Sequence, residues 1–135
     1  MTTPTPLKIL TPERTVLDTA VDAVYARMPD GEFGVLKGHI PLVAPLEIAE
    51  LRYVQQGQTF PVAVMGGVLQ TDGDTITVLC DNAELGNEID TVRAQHAKER
   101  AESRLRENTN EEIDFKRAQL ALARSLVRLK VSSGN

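Results

Sequence analysis

The chain has 135 residues, enough for one ordinary domain or a small domain with an appendage. Its 41% hydrophobic and 25% charged residues are a soluble globular composition, with no apolar run long enough to span a bilayer. A net charge of −4 and only 4% aromatic residues argue against a nucleic-acid binder and against an aromatic sugar-binding cleft.

The charge is unevenly divided. Residues 1–87 carry 5 basic and 11 acidic side chains, whereas residues 88–135 carry 10 basic and 8 acidic. The two parts are therefore expected to meet different neighbours. The start, Met1-Thr2-Thr3-Pro4-Thr5-Pro6, has neither the basic and apolar regions of a signal peptide nor the arginine-rich character of a transit peptide. Strands are predicted at 7–11, 14–17, 20–28, 34–36, 42–48, 50–55, 59–65, 68–71 and 75–80, from alternation and β-branched content. Pro29-Asp30-Gly31, Gln56-Gly57 and Asp72-Gly73 supply turns. Many short strands without an intervening helix indicate an antiparallel β-sandwich over residues 1–86. Cys80 ends an apolar run and has no second cysteine, so it is expected to be a core thiol in a reducing compartment.

After Gly86 the period changes. Asp90 is a good N-cap for a helix running to about residue 106, and Thr109 with Glu112 forms a capping box for a second helix to about 130. Residues 107–110 read as the turn of an antiparallel hairpin over 88–131, leaving 132–135 as a flexible tail. Phe115, Ala118, Leu122, Leu126 and Leu129 are the expected apolar stripe of the second helix.

Both helices repeat one pattern. Arg93, Arg100 and Arg104, and then Arg117, Arg124 and Arg128, step by seven and then four residues. At about 100° per residue each triplet stays within roughly 40° on its helix. Arginine, rather than the lysine also present at Lys98, Lys116 and Lys130, suits planar recognition of phosphate or carboxylate. Ala94, Ala97, Ala101, Ala118 and Ala121 beside the stripes allow close backbones, or room for something flat. An anion site, a grip on an acidic partner and a plain solvated face all remain open from the pattern alone. His39 reads as a structural or interface residue and His96 as an exposed one, since no nucleophile or carboxylate pair has a local signature beside either.

Three segments carry a family resemblance. Gly31-Glu32-Phe33-Gly34-Val35-Leu36-Lys37-Gly38-His39-Ile40-Pro41 resembles the glycine-rich loop of the epsilon subunit of F-type ATP synthases. Met65-Gly66-Gly67, the strand at 75–80 and Asn82-Ala83-Glu84 are similar to that family's later sandwich. Ile89-Asp90-Thr91-Val92-Arg93-Ala94 is similar to the motif that opens its helices.

The resemblance implies a sandwich seated against the gamma subunit and the c-ring, followed by a mobile two-helix hairpin. It implies a non-catalytic rotor subunit that couples proton or sodium-ion flow to ATP synthesis and restrains hydrolysis when the hairpin extends into the alpha/beta catalytic head. It further implies ATP as a regulatory ligand of the folded hairpin, with no required cofactor. Contacts would fall at Ile89, Asp90, Arg93, Ala94 and Arg100, at Arg124 and Arg128, and at Glu84 on the edge. Arg104 and Arg117 would meet acidic segments of the catalytic subunits, Glu32 the polar loops of the c-ring, and His39 and Met65 a partner interface. No phosphate-binding glycine loop or magnesium ligand is apparent, so binding without hydrolysis is expected. Attachment to the membrane would be indirect, at the cytoplasmic face of a bacterial cell membrane or, alternatively, the stromal face of a thylakoid. The rival readings are a free-standing nucleotide-sensing module, a small sandwich enzyme, and a hairpin that only stiffens the sandwich.

Overall fold

The computed structural model describes residues 4–107 and 112–133. Eight strands come first: β1 (Thr5–Leu10), β2 (Thr15–Val21), β3 (Ala23–Met28), β4 (Gly31–Leu36), β5 (Leu42–Gln55), β6 (Gln58–Thr71), β7 (Ile76–Cys80) and β8 (Ala83–Leu85). A single 3₁₀ turn at Gly86–Glu88 then leads into α1 (Thr91–Arg106) and α2 (Glu112–Ser133).

The strands are ordered β2-β1-β7-β6-β5-β3-β4, with β8 added beside β6. One continuous hydrogen-bonded sheet makes both layers because the β5–β6 hairpin is long enough to belong to each. The 42–46 half of β5 and the 67–71 half of β6 join β7, β1 and β2. The other halves join β3, β4 and β8. The fold between layers falls at Gly66 and Gly67, whose φ values of 80° and 155° few other residues adopt. At Gly67 a Cβ would lie 2.2 Å from the Leu79 carbonyl oxygen, so β6 and β7 approach as closely as the glycine pair permits.

Strand alternation is explained by this sandwich. Thr5, Leu7 and Ile9 point inward while Pro6 and Lys8 face water. Leu7, Ile9, Val24, Val35, Leu69 and Val78 are fully enclosed between the layers. Several expected boundaries shift. The break placed near residues 18–19 falls at Asp22, whose backbone N–H donates to Val54. The separate strands predicted at 42–48 and 50–55, and at 59–65 and 68–71, are each continuous: in β6 the Gly66–Gly67 pair bends the ladder without ending it, and β5 stays paired to β6 on both sides of that bend. Contacts within the sandwich are antiparallel except at β1 and β7, which pair parallel.

The helices pack through small residues. Ala94 and Ala101 on α1, and Ala118 and Ser125 on α2, are buried, each pair two turns apart. Ser125 satisfies its hydroxyl within its own helix, donating to the Leu122 carbonyl at 2.9 Å. Phe115 and Leu126, expected in the apolar stripe, are instead more than 40% exposed. Close backbone approach selects the smallest side chains for the seam and turns the larger ones outward. α2 also continues beyond the predicted end, to Ser133. Glu112 begins it, whereas Thr109 and most of the predicted turn lie outside the described residues.

The hairpin is folded onto the outer face of the sandwich. Val131 and Val127 of α2 sit with Ala63, Met65, Ile48 and Ile89 in a second apolar cluster, separate from the main core. Ion pairs flank it, from Arg128 to Glu84 and from Lys130 to Glu50.

Candidate functional site: a cationic cleft under the hairpin

A cleft of about 510 Å³ opens where α1, the end of α2 and the chain around β8 meet. Asn82, Glu84, Glu88, Asp90, Arg93, Ala94, Ala97, Arg100 and Arg128 line it. The first turn of α1 orients one edge. Asp90 is the N-cap, and its carboxylate accepts the Arg93 backbone N–H at 3.0 Å. The seven-residue step then sets Arg93 and Arg100 on the same face. The antiparallel α2 delivers Arg128 from the opposite side.

The carboxylates are already occupied. Arg128 Nε donates to Glu84 Oε1 at 2.5 Å, with both side chains three-quarters buried. Glu88 Oε2 accepts from Arg14 Nη1 at 2.7 Å, and its Oε1 accepts the Leu85 backbone N–H at 3.0 Å. The Arg14 hydrogen bond is the main cause holding the Glu88 carboxyl below its usual range, against the opposing effect of burial. Arg14 also reaches the Ala83 carbonyl, at 3.3 Å. Arg93 and Arg100, by contrast, are exposed and have no carboxylate partner among the described residues. The cleft therefore presents two unpaired guanidinia and a third held by Glu84. Such a surface has the donors to take up an anion. No group of His, Cys, Asp and Glu disposed to hold a metal occurs among the described residues.

Glu84, Asp90, Arg93, Ala94, Arg100 and Arg128 are thus gathered in one place. Ile89 is not in the lining: it packs against the second apolar cluster and anchors the chain just before α1. Arg124, one turn before Arg128, is exposed outside the lining, as are Arg104 and Arg117. Glu32 is exposed on β4 and ion-paired to Arg52. His39 is half-buried, with Nδ1 donating to the Ile40 carbonyl at 2.7 Å, and His96 is exposed. Met65 is buried beneath α2 rather than open to a partner, because the folded hairpin covers that face. Asn82, Glu88 and Arg14 were not singled out as site residues from the sequence. Asn82 stands beside Glu84 in a recognised segment, but Arg14 lies 74 residues from Glu88 and leaves no local signal.

Comparison with known proteins agrees with this architecture. The family model described as ATP synthase, delta/epsilon chain, β-sandwich domain matches residues 5–86, and that family's long α-helix domain matches 87–133. The chain is 47% identical over 128 residues to the ATP synthase epsilon chain of Bacillus cytotoxicus, covering 95% of this chain and 96% of that one. It is 50% identical over 127 residues to the epsilon chain of Symbiobacterium thermophilum, covering 93% and 91%. Its fold is similar to a chain in the mitochondrial ATP synthase of Euglena gracilis, with a TM-score of 0.80 at 23% identity over 96% of this chain and 81% of that one. Both domains, in order and over nearly the whole length, place the chain in the ATP synthase delta/epsilon chain family, as an epsilon chain of the bacterial type.

Proposed function

We propose that this epsilon chain, a non-catalytic subunit, is a rotor component whose folded hairpin binds ATP and whose extended hairpin restrains hydrolysis. The sandwich seats the subunit against gamma and the c-ring. A relative of its fold comes from a structure of the Tetrahymena thermophila central stalk and c-ring, with a TM-score of 0.60 at 9% identity, which concerns the fold alone. No helix among the described residues is long and apolar enough to cross a membrane, so membrane attachment in this reading is peripheral and through the complex.

One observation supports the nucleotide site: Arg93 and Arg100, with no carboxylate partner among the described residues, face the same cleft as Arg128. Its volume of about 510 Å³ suits a nucleotide. The guanidinia take the phosphates, Ala94 and Ala97 offer a flat wall, and Asp90, whose Oδ1 caps the helix, offers Oδ2 to base or ribose. Arg124, on the same side of α2 as Arg128, is close enough in sequence to join the phosphates when they are bound. Because the cleft draws residues from both helices and from β8, ATP binds the folded arrangement better than an extended one. The population shifts by that difference in affinity alone. Two or three charge-assisted bonds, worth about 1.5–3 kcal/mol each where the bound ligand shelters them and much less on a wet face, place the affinity between roughly millimolar and micromolar. When the hairpin leaves, Arg104 and Arg117 are available to acidic surfaces of the catalytic head.

The test is an ATP titration of the full chain followed by backbone NMR, beside Arg100→Ala. Saturable shifts centred on Asp90, Arg93, Arg100 and Arg128, lost in the variant, are expected. Absence of any saturable shift up to about 10 mM ATP refutes the nucleotide site.

A further inference from the structure

Arg14 stands outside the cleft, in the turn between β1 and β2, yet its guanidinium controls a carboxylate that lines the cleft. Three carboxylates share the cleft with the arginines. Glu84 is taken by Arg128, and Asp90 is taken by the helix N-terminus. Glu88 has its two oxygens divided between Arg14 and the Leu85 backbone N–H. Arg14 is the only one of these partners that brings a full positive charge from beyond the cleft wall. Its second Nη, directed to the Ala83 carbonyl, fixes the fork so that the first one meets Glu88.

We infer that Arg14 is a positioning residue for the anion cleft, occupying Glu88 so that this carboxylate does not neutralise Arg93 and Arg100. The inference rests on the nucleotide reading above and adds to it the residue that keeps the site cationic. Without Arg14, Glu88 keeps the Leu85 N–H on Oε1 but carries a negative charge with no cationic partner on the wall of an anion site. It then repels the phosphates directly and competes for the two unpaired guanidinia. Loss of Glu88 removes the same ion pair but leaves no such charge behind. The two single substitutions therefore act in opposite directions on ligand affinity, although both break the same contact.

That opposition separates positioning from simple pinning of the 3₁₀ turn. ATP affinity is measured by isothermal titration for the full-length wild type, Arg14→Gln, Glu88→Gln and the double variant, with folding of each checked by backbone NMR. Arg14→Gln is expected to weaken binding about threefold to tenfold, the weight of one partly screened charge. Glu88→Gln, which removes a negative charge from the cleft wall, is expected to bind ATP more tightly than wild type, and the double variant to recover what Arg14→Gln lost. Arg14→Lys, which keeps the charge but not the fork, should fall between the two.

Equal weakening by Arg14→Gln and Glu88→Gln overturns the inference, because it marks the pair as a structural pin. Wild-type affinity in Arg14→Gln also overturns it, while leaving the nucleotide site intact. A wild type that takes up no ATP overturns the proposed function and this inference together, a result distinct from the other two.

Discussion

Removing two methyl groups from Val131 should release the hairpin without unfolding the sandwich. Val131 is fully buried, but its neighbours Ala63, Met65, Ile48, Ile89 and Val127 form a cluster separate from the main core. At about 0.8 kcal/mol per buried methyl-sized group, Val131→Ala forfeits about 1.6 kcal/mol of transfer free energy. An incompletely collapsed cavity raises the total to about 2–2.5 kcal/mol. Of the flanking ion pairs, Arg128–Glu84 is three-quarters buried and left intact by the substitution, whereas the one at Lys130 adds little. Lys130 is 70% exposed and 3.8 Å from Glu50, within the class worth about 0–1 kcal/mol. Native-state hydrogen exchange reads the result residue by residue. Amides of α2 and the 3₁₀ turn should lose protection by roughly 30-fold, the factor for about 2 kcal/mol. Amides of β1 and β7, in the main core, should be unchanged. Equal loss in both regions would show that hairpin and sandwich form one cooperative unit, and the argument from separate clusters would fail.

Gly67→Ala should cost about 2–4 kcal/mol in urea unfolding, because its new Cβ meets the Leu79 carbonyl oxygen at 2.2 Å and the Cys80 Cα at 2.7 Å. Gly57→Ala, at φ +79° with nothing within 4 Å, should cost only about 1 kcal/mol, so near-equal losses would contradict the steric account. Acid should weaken the fold through Asp72 and Glu88, both held below their usual range. For Asp72 the chief cause is the Thr75 backbone hydrogen bond, and for Glu88 it is Arg14. A depressed carboxyl contributes stability above its unfolded value that is lost as pH falls through the folded one, so the thermal midpoint should drop from about pH 4.5 downward. Asp72→Asn and Glu88→Gln should each flatten that drop; an unchanged pH profile counts against these contacts. Burial, with the neighbouring Asp81 charge second, pushes the Cys80 thiol up to about 11, so it should resist a disulfide reagent at pH 7.5 until the chain is unfolded in urea. Fast labelling of the native protein would refute that placement.

The strands, the change of period after Gly86 and the Asp90 cap were legible in the sequence because each rests on interactions a few residues apart. A strand advertises its buried face every second residue, and an N-cap satisfies the turn that follows it. The seven-residue step likewise determined that Arg93 and Arg100 share a helix face, and the ordered motifs identified the family. None of this says which neighbour a face will meet. Only the tertiary structure decided that Arg128 pairs with Glu84, 44 residues away, or that Arg14 reaches Glu88 across 74. The same holds for the parallel β1–β7 pairing and for the continuous β5 and β6, since ladder partners are chosen by the packing of whole layers. In the hairpin, the alanines expected to allow close backbones, Ala94, Ala101 and Ala118, are buried, but the structure adds Ser125 to the seam and leaves Phe115 and Leu126 of the expected apolar stripe exposed. The distance between two helix backbones is a property of the pair, and it selects by size what sequence pattern ranks by apolarity.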